Sequence, residues 1–318
     1  MPSLRARAFN FLLKHRHWLF LRASRPRIES TARVADLRRR GEWVARLSSR
    51  APSGVEVTRV DEARVDEARV DEAAVRGEWV RARASDSRGV LLYLHGGCYV
   101  MGSAAARRGF VAGLARATGL DALSLDYRLA PESPFPAALD DAIAAYEWLQ
   151  ARGLSASRVV LAGDSAGGGL CLATLLALRD REIALPAAAV AISPWVDLTC
   201  ASHGGIDPVV ADGAWQVFGR AYAGPHALDE PLISPSFGDL TGLPPLHLSV
   251  GDDEVLLPEV QALATKASAA GVDVALRVEH GMVHTYPLFP RWIPEVSATV
   301  AEIVGFIGRH VARSETAS

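Results

Sequence analysis

Ser165 is the residue best placed by its neighbours to act as a nucleophile, because it lies between two glycines in the segment Gly163–Gly167. This segment follows an apolar run, Val159–Ala162, that is typical of a buried strand, and it precedes a helical run rich in alanine and leucine. Small flanking residues allow a sharp strand-to-helix turn, which holds the serine in a strained backbone conformation with its Oγ exposed. The pattern alone is weak evidence, but its position at a strand-to-helix junction makes Ser165 a candidate nucleophile.

The segment His95–Tyr99 is a candidate for stabilising negative charge, because it directly follows the predicted strand Val90–Leu94 and contains two glycines. When a nucleophile attacks an acyl carbon, charge develops on the carbonyl oxygen, and backbone N–H groups can hold that charge. Glycines let the backbone approach the oxygen without a β-carbon in the way. We therefore predict an oxyanion hole formed by the N–H groups of Gly96, Gly97 and Ala166.

These segments resemble the bacterial hormone-sensitive-lipase-like esterases, in which the loop reads H-G-G-G and the nucleophile turn reads G-D-S-A-G-G. The second motif is complete here, as Gly163–Gly168, and Asp126–Glu132 and Ser193–Thr199 also resemble the family. The four motifs occur in the family's order between about residues 90 and 287. The resemblance implies an α/β-hydrolase fold and a serine carboxylic-ester hydrolase that works through an acyl-enzyme, with no metal and no organic cofactor.

Cys98 departs from the family's pattern, because it occupies the position of the third glycine. The resemblance assigns most of the oxyanion binding to the first two glycines, so the prediction for the loop stands. A second nucleophile is the alternative interpretation of this thiol, but no motif supplies a base for it, and we expect a buried spectator. Cys98, Tyr99, Asp164 and Trp195 are predicted to contact substrate, with a packed core tryptophan as the alternative for Trp195.

The resemblance places the base of the triad last in the chain, after the acid. His284 lies in a loop after the predicted strand Asp273–Val278, after Gly281 and shortly before Tyr286, which is the family's pattern for its catalytic histidine. His280 is the alternative. A base of ordinary pKa predicts that activity falls below about pH 6.5, where the imidazole becomes protonated.

The acid falls in Gly251–Leu257, which offers three adjacent carboxylates. Alignment of Leu256 with a leucine that the family carries two residues after its acid favours Glu254, with Asp252 and then Asp253 as alternatives. Glutamate in this position also resembles a branch of the family that hydrolyses lactones or short esters. The acid would orient the imidazole and stabilise its charged form.

The resemblance implies short- to medium-chain acyl esters as substrates. A lactone hydrolase, an amidase or a deacetylase acting through the same triad is the nearest alternative. A non-catalytic ligand-binding protein is a further one, because the plant gibberellin receptors resemble these esterases but have lost the catalytic histidine. The presence of both Ser165 and His284 favours an enzyme.

The elements that must position these residues form an alternating pattern from Gly89 onward. Such a pattern predicts an α/β fold with a mostly parallel sheet covered by helices on both faces, and functional residues at the carboxyl ends of the strands. The predicted strands are Val90–Leu94, Ala122–Leu125, Val159–Ala162, Ala187–Ile192, Leu246–Val250 and Asp273–Val278. The predicted helices are Ser103–Thr118, Ala137–Ala151, Ala166–Leu178 and Glu259–Ala270.

The segment before residue 89 is different in character. Apolar residues at three- and four-residue steps predict an amphipathic helix over Leu4–Leu19. This helix could be docked on the core, form a lid over the active site, or lie on a membrane surface. A second helix is predicted over Thr31–Leu47. A repeat of period five, Val60–Val75, fits neither helix nor strand and predicts a solvated loop or hairpin tip. We divide the chain into an N-terminal helical cap (1–55), a strand-and-loop segment with the repeat (56–88) and a catalytic domain (89–318).

The charge balance is compatible with a small uncharged substrate, and the resemblance implies that this partner is a small-molecule ester. The 34 basic and 36 acidic residues give a net charge of −2, which favours neither nucleic acid nor an anionic membrane globally. The three cysteines contain no Cys-x-x-Cys pair, and a reducing cytoplasm is the expected location. No segment approaches the roughly 18 uninterrupted apolar residues that a membrane-spanning helix needs. A homodimer is compatible with the sequence.

Overall fold

A single eight-stranded sheet lies at the centre of the described part of the computed structural model, which covers residues 1–15, 27–39, 50–63, 74–82 and 89–311. Period-two alternation sends Leu92 and Leu94 to one face of the sheet and Leu91 and Tyr93 to the other, so each strand contributes to two cores. The strands are β1 (Val55–Ala63), β2 (Ala74–Ala82), β3 (Val90–Leu94), β4 (Asp121–Leu125), β5 (Val159–Asp164), β6 (Ala188–Ile192), β7 (Leu246–Gly251) and β8 (Val274–Glu279).

The strand order is β1-β2-β4-β3-β5-β6-β7-β8. The first two strands form an antiparallel hairpin, β2 pairs antiparallel with β4, and all the later strands run parallel to one another. Because parallel strands end at the same edge, the loops that follow β3, β5, β7 and β8 meet there. Ser165, Glu254 and His284 therefore lie at this edge, together with the segment His95–Tyr99, which we call the oxyanion loop.

Helices cover both faces of the sheet, as predicted. The core on one face includes side chains of α3 to α6, and the core on the other face includes side chains of α2 and α7. The helices are α1 (Leu4–Lys14), α2 (Ala104–Thr118), α3 (Ala137–Ala151), α4 (Ala166–Asp180), α5 (Ala214–Ala223), α6 (Leu257–Ala269) and α7 (Pro294–His310). The predicted α/β-hydrolase architecture is confirmed.

From residue 89 onward, the predicted strands and helices are all present, with ends within two residues of the prediction. The β1–β2 hairpin, α5 and α7 were not predicted as elements. Of the predicted helix at Thr31–Leu47, the structure describes a 3-10 turn at Thr31–Arg33 and helical residues 34–39, and residues 40–47 lie outside the described part.

Both ends of the period-five repeat belong to strands, because Ala63 pairs with Ala74 at the end of the hairpin. Residues 64–73 of the repeat, and residues 16–19 of the helix predicted at the N-terminus, lie outside the described residues. The domain division at residues 55 and 88 stays a prediction. Within the described ranges, no helix has both the length and the apolar character that crossing a bilayer requires.

The position of α7 in the core gives a stability prediction. Phe306 is 2% exposed and packs against His247 and the sheet, so Phe306→Ala should lower the free energy of unfolding by about 3–5 kcal/mol in urea denaturation. Val278→Ala, on the half-exposed outer side of β8, should change it by less than about 1 kcal/mol. Equal losses in the two variants would contradict the packing of α7.

Candidate active site

Ser165 lies in a strained turn between β5 and α4, with φ 55° and ψ −122°. Its N–H donates to the carbonyl of Ile192 at 2.8 Å, and its own carbonyl accepts the N–H of Trp195 at 3.0 Å. A β-carbon at Gly167 would overlap the carbonyl of Leu94, so only glycine lets the turn pass so close to β3. The neighbouring strands thus hold the backbone in a conformation that L residues rarely adopt.

Three predicted site residues are joined by hydrogen bonds. Ser165 Oγ lies 2.9 Å from His284 Nε2, and His284 Nδ1 lies 2.6 Å from Glu254 Oε2. An ionised carboxylate only accepts hydrogen bonds, so Nδ1 carries the proton and Nε2 is left to accept the serine hydroxyl. All three side chains are buried, which protects this chain of contacts from competing water.

The carboxylate of Glu254 is fixed from its other side. Its Oε1 accepts the N–H of Gly251 at 2.6 Å and the hydroxyl of Ser193 at 2.8 Å. Ser193 Oγ in turn accepts the N–H of Thr285 at 3.0 Å, directly after the histidine. Ser193 therefore links the acid to the loop that carries His284. Sequence reasoning noted Ser193 as part of a motif but gave it no role.

The charge of Glu254 sets the protonation of His284. Burial by itself lowers the pKa of the imidazole, but the hydrogen bond and the charge of Glu254 outweigh burial, with a smaller contribution from Asp207. The net pKa of His284 is raised above its ordinary value. The imidazole is therefore a stronger base than a histidine in water.

The two alternative acids lie elsewhere. Asp252 accepts hydrogen bonds at 2.5 Å from the exposed His280 and from the N–H of Gly281, and Asp253 pairs with Lys14. Of the three adjacent carboxylates, Glu254 is therefore the one that is hydrogen-bonded to His284. Across the residues that the structure describes, no group of three or more His, Cys, Asp or Glu side chains is arranged to hold a metal ion.

The oxyanion loop differs from the prediction at Gly96. Its N–H donates to Asp164 Oδ1 at 3.0 Å, so this donor is already used inside the protein. The expectation that Gly96 donates to an oxyanion is corrected for that reason. No protein acceptor within the described ranges takes the N–H groups of Gly97, Cys98 or Ala166.

Asp164 was predicted to contact substrate, but its side chain is fully buried and is bonded to the oxyanion loop instead. The Arg107 guanidinium bonds both carboxylate oxygens at 2.8–3.1 Å, and the Tyr93 hydroxyl donates at 2.8 Å. Burial by itself raises the pKa of Asp164, but the charge and hydrogen bonds of Arg107, with those from Tyr93 and Gly96, outweigh it. Its pKa is lowered overall, and the side chain is a buried carboxylate.

The remaining predicted contact residues, Cys98, Tyr99 and Trp195, are all buried. Burial, with a contribution from Asp207, raises the pKa of the Cys98 thiol to about 12, so it carries no thiolate at neutral pH. The ring of Tyr99 stacks on Tyr222 with centroids 3.7 Å apart. Trp195 is fully buried, and its indole donates to the carbonyl of Asp197, which is the packed arrangement given as its alternative.

Sequence reasoning missed two residues in the segment 201–224, which carries no motif. Trp215 packs edge-on against His284, with ring centroids 5.4 Å apart. Asp207 is buried and accepts the N–H of Val255, next to the triad acid, at 3.3 Å. Arg107 was missed as well, because only the three-dimensional fold brings it to Asp164.

The pairing of the half-buried Arg107 with the fully buried Asp164 predicts a large stability effect. Arg107→Met leaves a buried carboxylate uncompensated and should lower the free energy of unfolding by about 3–5 kcal/mol at neutral pH. The folded-state pKa of Asp164 is lowered, so the stabilisation is complete above the ordinary carboxyl pKa and is lost as pH falls through the folded-state value. Urea unfolding at several pH values measures the deficit, which should shrink in acid.

Arg76→Met is the control for this experiment. Arg76 pairs with Asp61 on the surface, where both side chains are more than half exposed, and the loss should stay below about 1 kcal/mol. A deficit of Arg107→Met no larger than that of the control would show that the pair of Arg107 and Asp164 does not brace the loop.

Comparisons with known proteins agree with this geometry. A family profile described as "alpha/beta hydrolase fold" matches residues 91–288. The chain is 46% identical to an acetyl-hydrolase of Streptomyces hygroscopicus, over 69% of this chain and 74% of that protein. It is 33% identical to an esterase of Acinetobacter venetianus, over 73% and 78% of the two chains.

Among solved structures, an esterase from the bacterial hormone-sensitive lipase (HSL) family superposes with a TM-score of 0.85 and 37% identity. The superposition covers 98% of this chain and 100% of that chain. Sequence, fold and site geometry agree, and the chain belongs to the bacterial hormone-sensitive-lipase family of α/β-hydrolase-fold esterases.

Proposed function

We propose that the chain hydrolyses short- to medium-chain carboxylic esters through an acyl-enzyme on Ser165. The observation that carries the proposal is the hydrogen-bonded series from Ser165 Oγ through His284 to Glu254. A nucleophile in contact with a base, which a third group orients, is the arrangement that activates a serine hydroxyl.

In the first half of the reaction, Ser165 Oγ attacks the ester carbonyl carbon while His284 Nε2 takes the hydroxyl proton. The resulting tetrahedral intermediate carries its charge on the former carbonyl oxygen. Glu254 stabilises the imidazolium without taking its proton. His284 then gives the proton to the alcohol oxygen as the bond to the acyl carbon breaks, which leaves the acyl group on Ser165.

In the second half, a water molecule replaces the alcohol. His284 takes a proton from the water as its oxygen attacks the acyl carbon, and a second tetrahedral intermediate forms. Its collapse breaks the bond to Oγ, and His284 returns the proton to Ser165. The products are a carboxylic acid and the regenerated enzyme.

The oxyanion donors that we propose are the N–H groups of Gly97, Cys98 and Ala166. These amides have no protein acceptor among the residues of the described ranges, whereas the N–H of Gly96 is held by Asp164. Ala166 follows the nucleophile, and its N–H is the first of α4, so the positive end of the helix dipole adds to the field.

Two observations support a short acyl group. Buried aromatic rings pack next to the catalytic histidine: Trp215 contacts His284, Trp195 packs against Trp215, and Tyr99 against Trp195, which restricts the space for a long chain. The similar protein of Streptomyces hygroscopicus is an acetyl-hydrolase. We also propose a cytoplasmic location, which the three free cysteine thiols support.

The role of Ser165 predicts the outcome of one substitution. Ser165→Ala should lower kcat for p-nitrophenyl acetate and butyrate by at least about a thousandfold, because the nucleophile is lost while binding remains. Phenylmethanesulfonyl fluoride should add one sulfonyl group to the wild type, seen by mass spectrometry, and none to the variant. Cys98→Ala should keep both the rate and the labelling, and a labelled Ser165→Ala would identify a different nucleophile.

The raised pKa of His284 predicts the pH profile. Only the neutral imidazole can act as a base, so kcat/KM should fall as pH drops through a value above the ordinary histidine pKa of about 6.5. Glu254→Gln removes the charge that raises this pKa and leaves the burial that lowers it. The acid limb should move to lower pH, and the plateau should fall by at least about a hundredfold.

Asp252→Asn is the matched control, because it changes the neighbouring carboxylate that contacts His280 instead. Its acid limb and plateau should remain within about twofold of the wild type. A lost rate in Asp252→Asn combined with an unchanged profile in Glu254→Gln would reverse the assignment of the acid.

A further inference from the structure

Apolar residues lie on two sides of α1. Its inner side buries Ala6 and Asn10 and packs Phe9 against Phe289, with ring centroids 4.9 Å apart, as a helix docked on a core does. Positions separated by seven or eight residues share one side of a helix, and that outward side of α1 carries three large apolar residues. We call it the outer face, with the exposed fraction of each residue: Leu4 (79%), Phe11 (59%) and Leu12 (51%).

Specific contacts fix the inner side of α1 to the protein. The N–H and Oγ of Ser3, which caps the helix, bond the carboxylate of Glu295 at 2.5 and 2.8 Å. The Asn10 side chain donates to the carbonyl of Gly281 at 2.5 Å, and Lys14 pairs with Asp253. The outer face is thus exposed on the folded protein by the way in which the helix is docked.

The surroundings of the outer face are aromatic and basic. Trp292 is 52% exposed, and its carbonyl accepts a hydrogen bond from Arg5 at 2.9 Å. Arg7 is exposed as well, and α1 contains no acidic residue. Glu295 and Asp253, the carboxylates that contact this segment, are already bonded to Ser3 and Lys14. The positive charge of the arginines is therefore not neutralised within α1.

We propose that the outer face of α1 docks the protein on the surface of an anionic phospholipid bilayer. Phenylalanine, leucine and tryptophan next to arginine are the combination with which a helix lies in the headgroup region, where apolar side chains enter the acyl boundary and cations meet lipid phosphates. A contiguous exposed apolar surface bordered by polar residues marks an interaction site. This surface role goes beyond ester hydrolysis and does not depend on it.

Charge favours the lipid surface over a second copy of the chain. Two outer faces brought together would place Arg5 and Arg7 of one copy near the same residues of the other, with no acidic residue on either helix to pair with them. Like charges in contact oppose such an association, whereas a layer of lipid phosphates attracts the same residues.

Vesicle co-sedimentation of the full chain tests the proposal, with vesicles of phosphatidylcholine alone and of phosphatidylcholine mixed with phosphatidylglycerol. The wild type should bind the mixed vesicles more tightly, and high salt should weaken that binding. Phe11→Ser should weaken it about tenfold or more, because an inserted apolar ring is lost. Arg7→Gln should weaken it on the order of fivefold.

Two controls make the same chemical changes elsewhere on the surface. Phe237→Ser removes a phenylalanine of similar exposure, and Arg181→Gln removes an exposed arginine. Both should bind vesicles as the wild type does. All four variants should keep wild-type turnover of p-nitrophenyl butyrate and the wild-type Tm, because none alters a buried residue. Should Phe11→Ser fail to fold, Arg7→Gln and the salt series still decide.

Three results would overturn the proposal. The wild type could stay in the supernatant with mixed vesicles, or Phe237→Ser could lose as much binding as Phe11→Ser. Analytical ultracentrifugation without lipid could instead reveal a dimer that Phe11→Ser dissociates, which would assign the outer face to a second copy. Loss of esterase activity in Ser165→Ala leaves the vesicle result unaffected, so the two proposals fail independently.

Discussion

The geometry of the site depends on one buried carboxylate, that of Asp164. It directly precedes the nucleophile and is bonded by Arg107 from α2, by Tyr93 from β3 and by the N–H of Gly96 in the oxyanion loop. A buried charge is costly unless it is paired and fully hydrogen-bonded, so each of these partners is held in place as long as the carboxylate is ionised. One residue thereby fixes the loop relative to the serine.

Much of this arrangement could be predicted from local sequence. Buried parallel strands are short apolar runs, and the loops that follow them must meet at one edge of the sheet, so the position of Ser165 directly after such a strand indicated its role. His284 was preferred to His280 because of the family resemblance. Glu254 could be preferred only by alignment. Asp252, Asp253 and Glu254 are chemically similar neighbours, and the fold separates them by directing Asp252 to His280 and Asp253 to Lys14.

The errors share a physical cause, because each involves a partner distant in sequence. Gly96 was expected to donate to substrate, but nothing in its own segment shows that its N–H is taken by a residue 68 positions later. Asp164 was expected to face substrate, because nothing in the sequence around it indicates that Arg107 pairs with it inside the protein. Trp215 lies in a segment without motifs, and its contact with His284 exists only once α5 has packed.

The burial of the cysteines has a practical consequence for chemical modification. Burial is the main cause that raises the pKa of all three thiols, and that of Cys98 and of Cys200 is about 12. Maleimides and iodoacetamides react with thiolates, which these side chains do not supply at neutral pH. A single cysteine introduced on the solvent-exposed surface would therefore be the preferred point of attachment. A fluorophore, a spin label or a solid support could be coupled there without first removing the native cysteines.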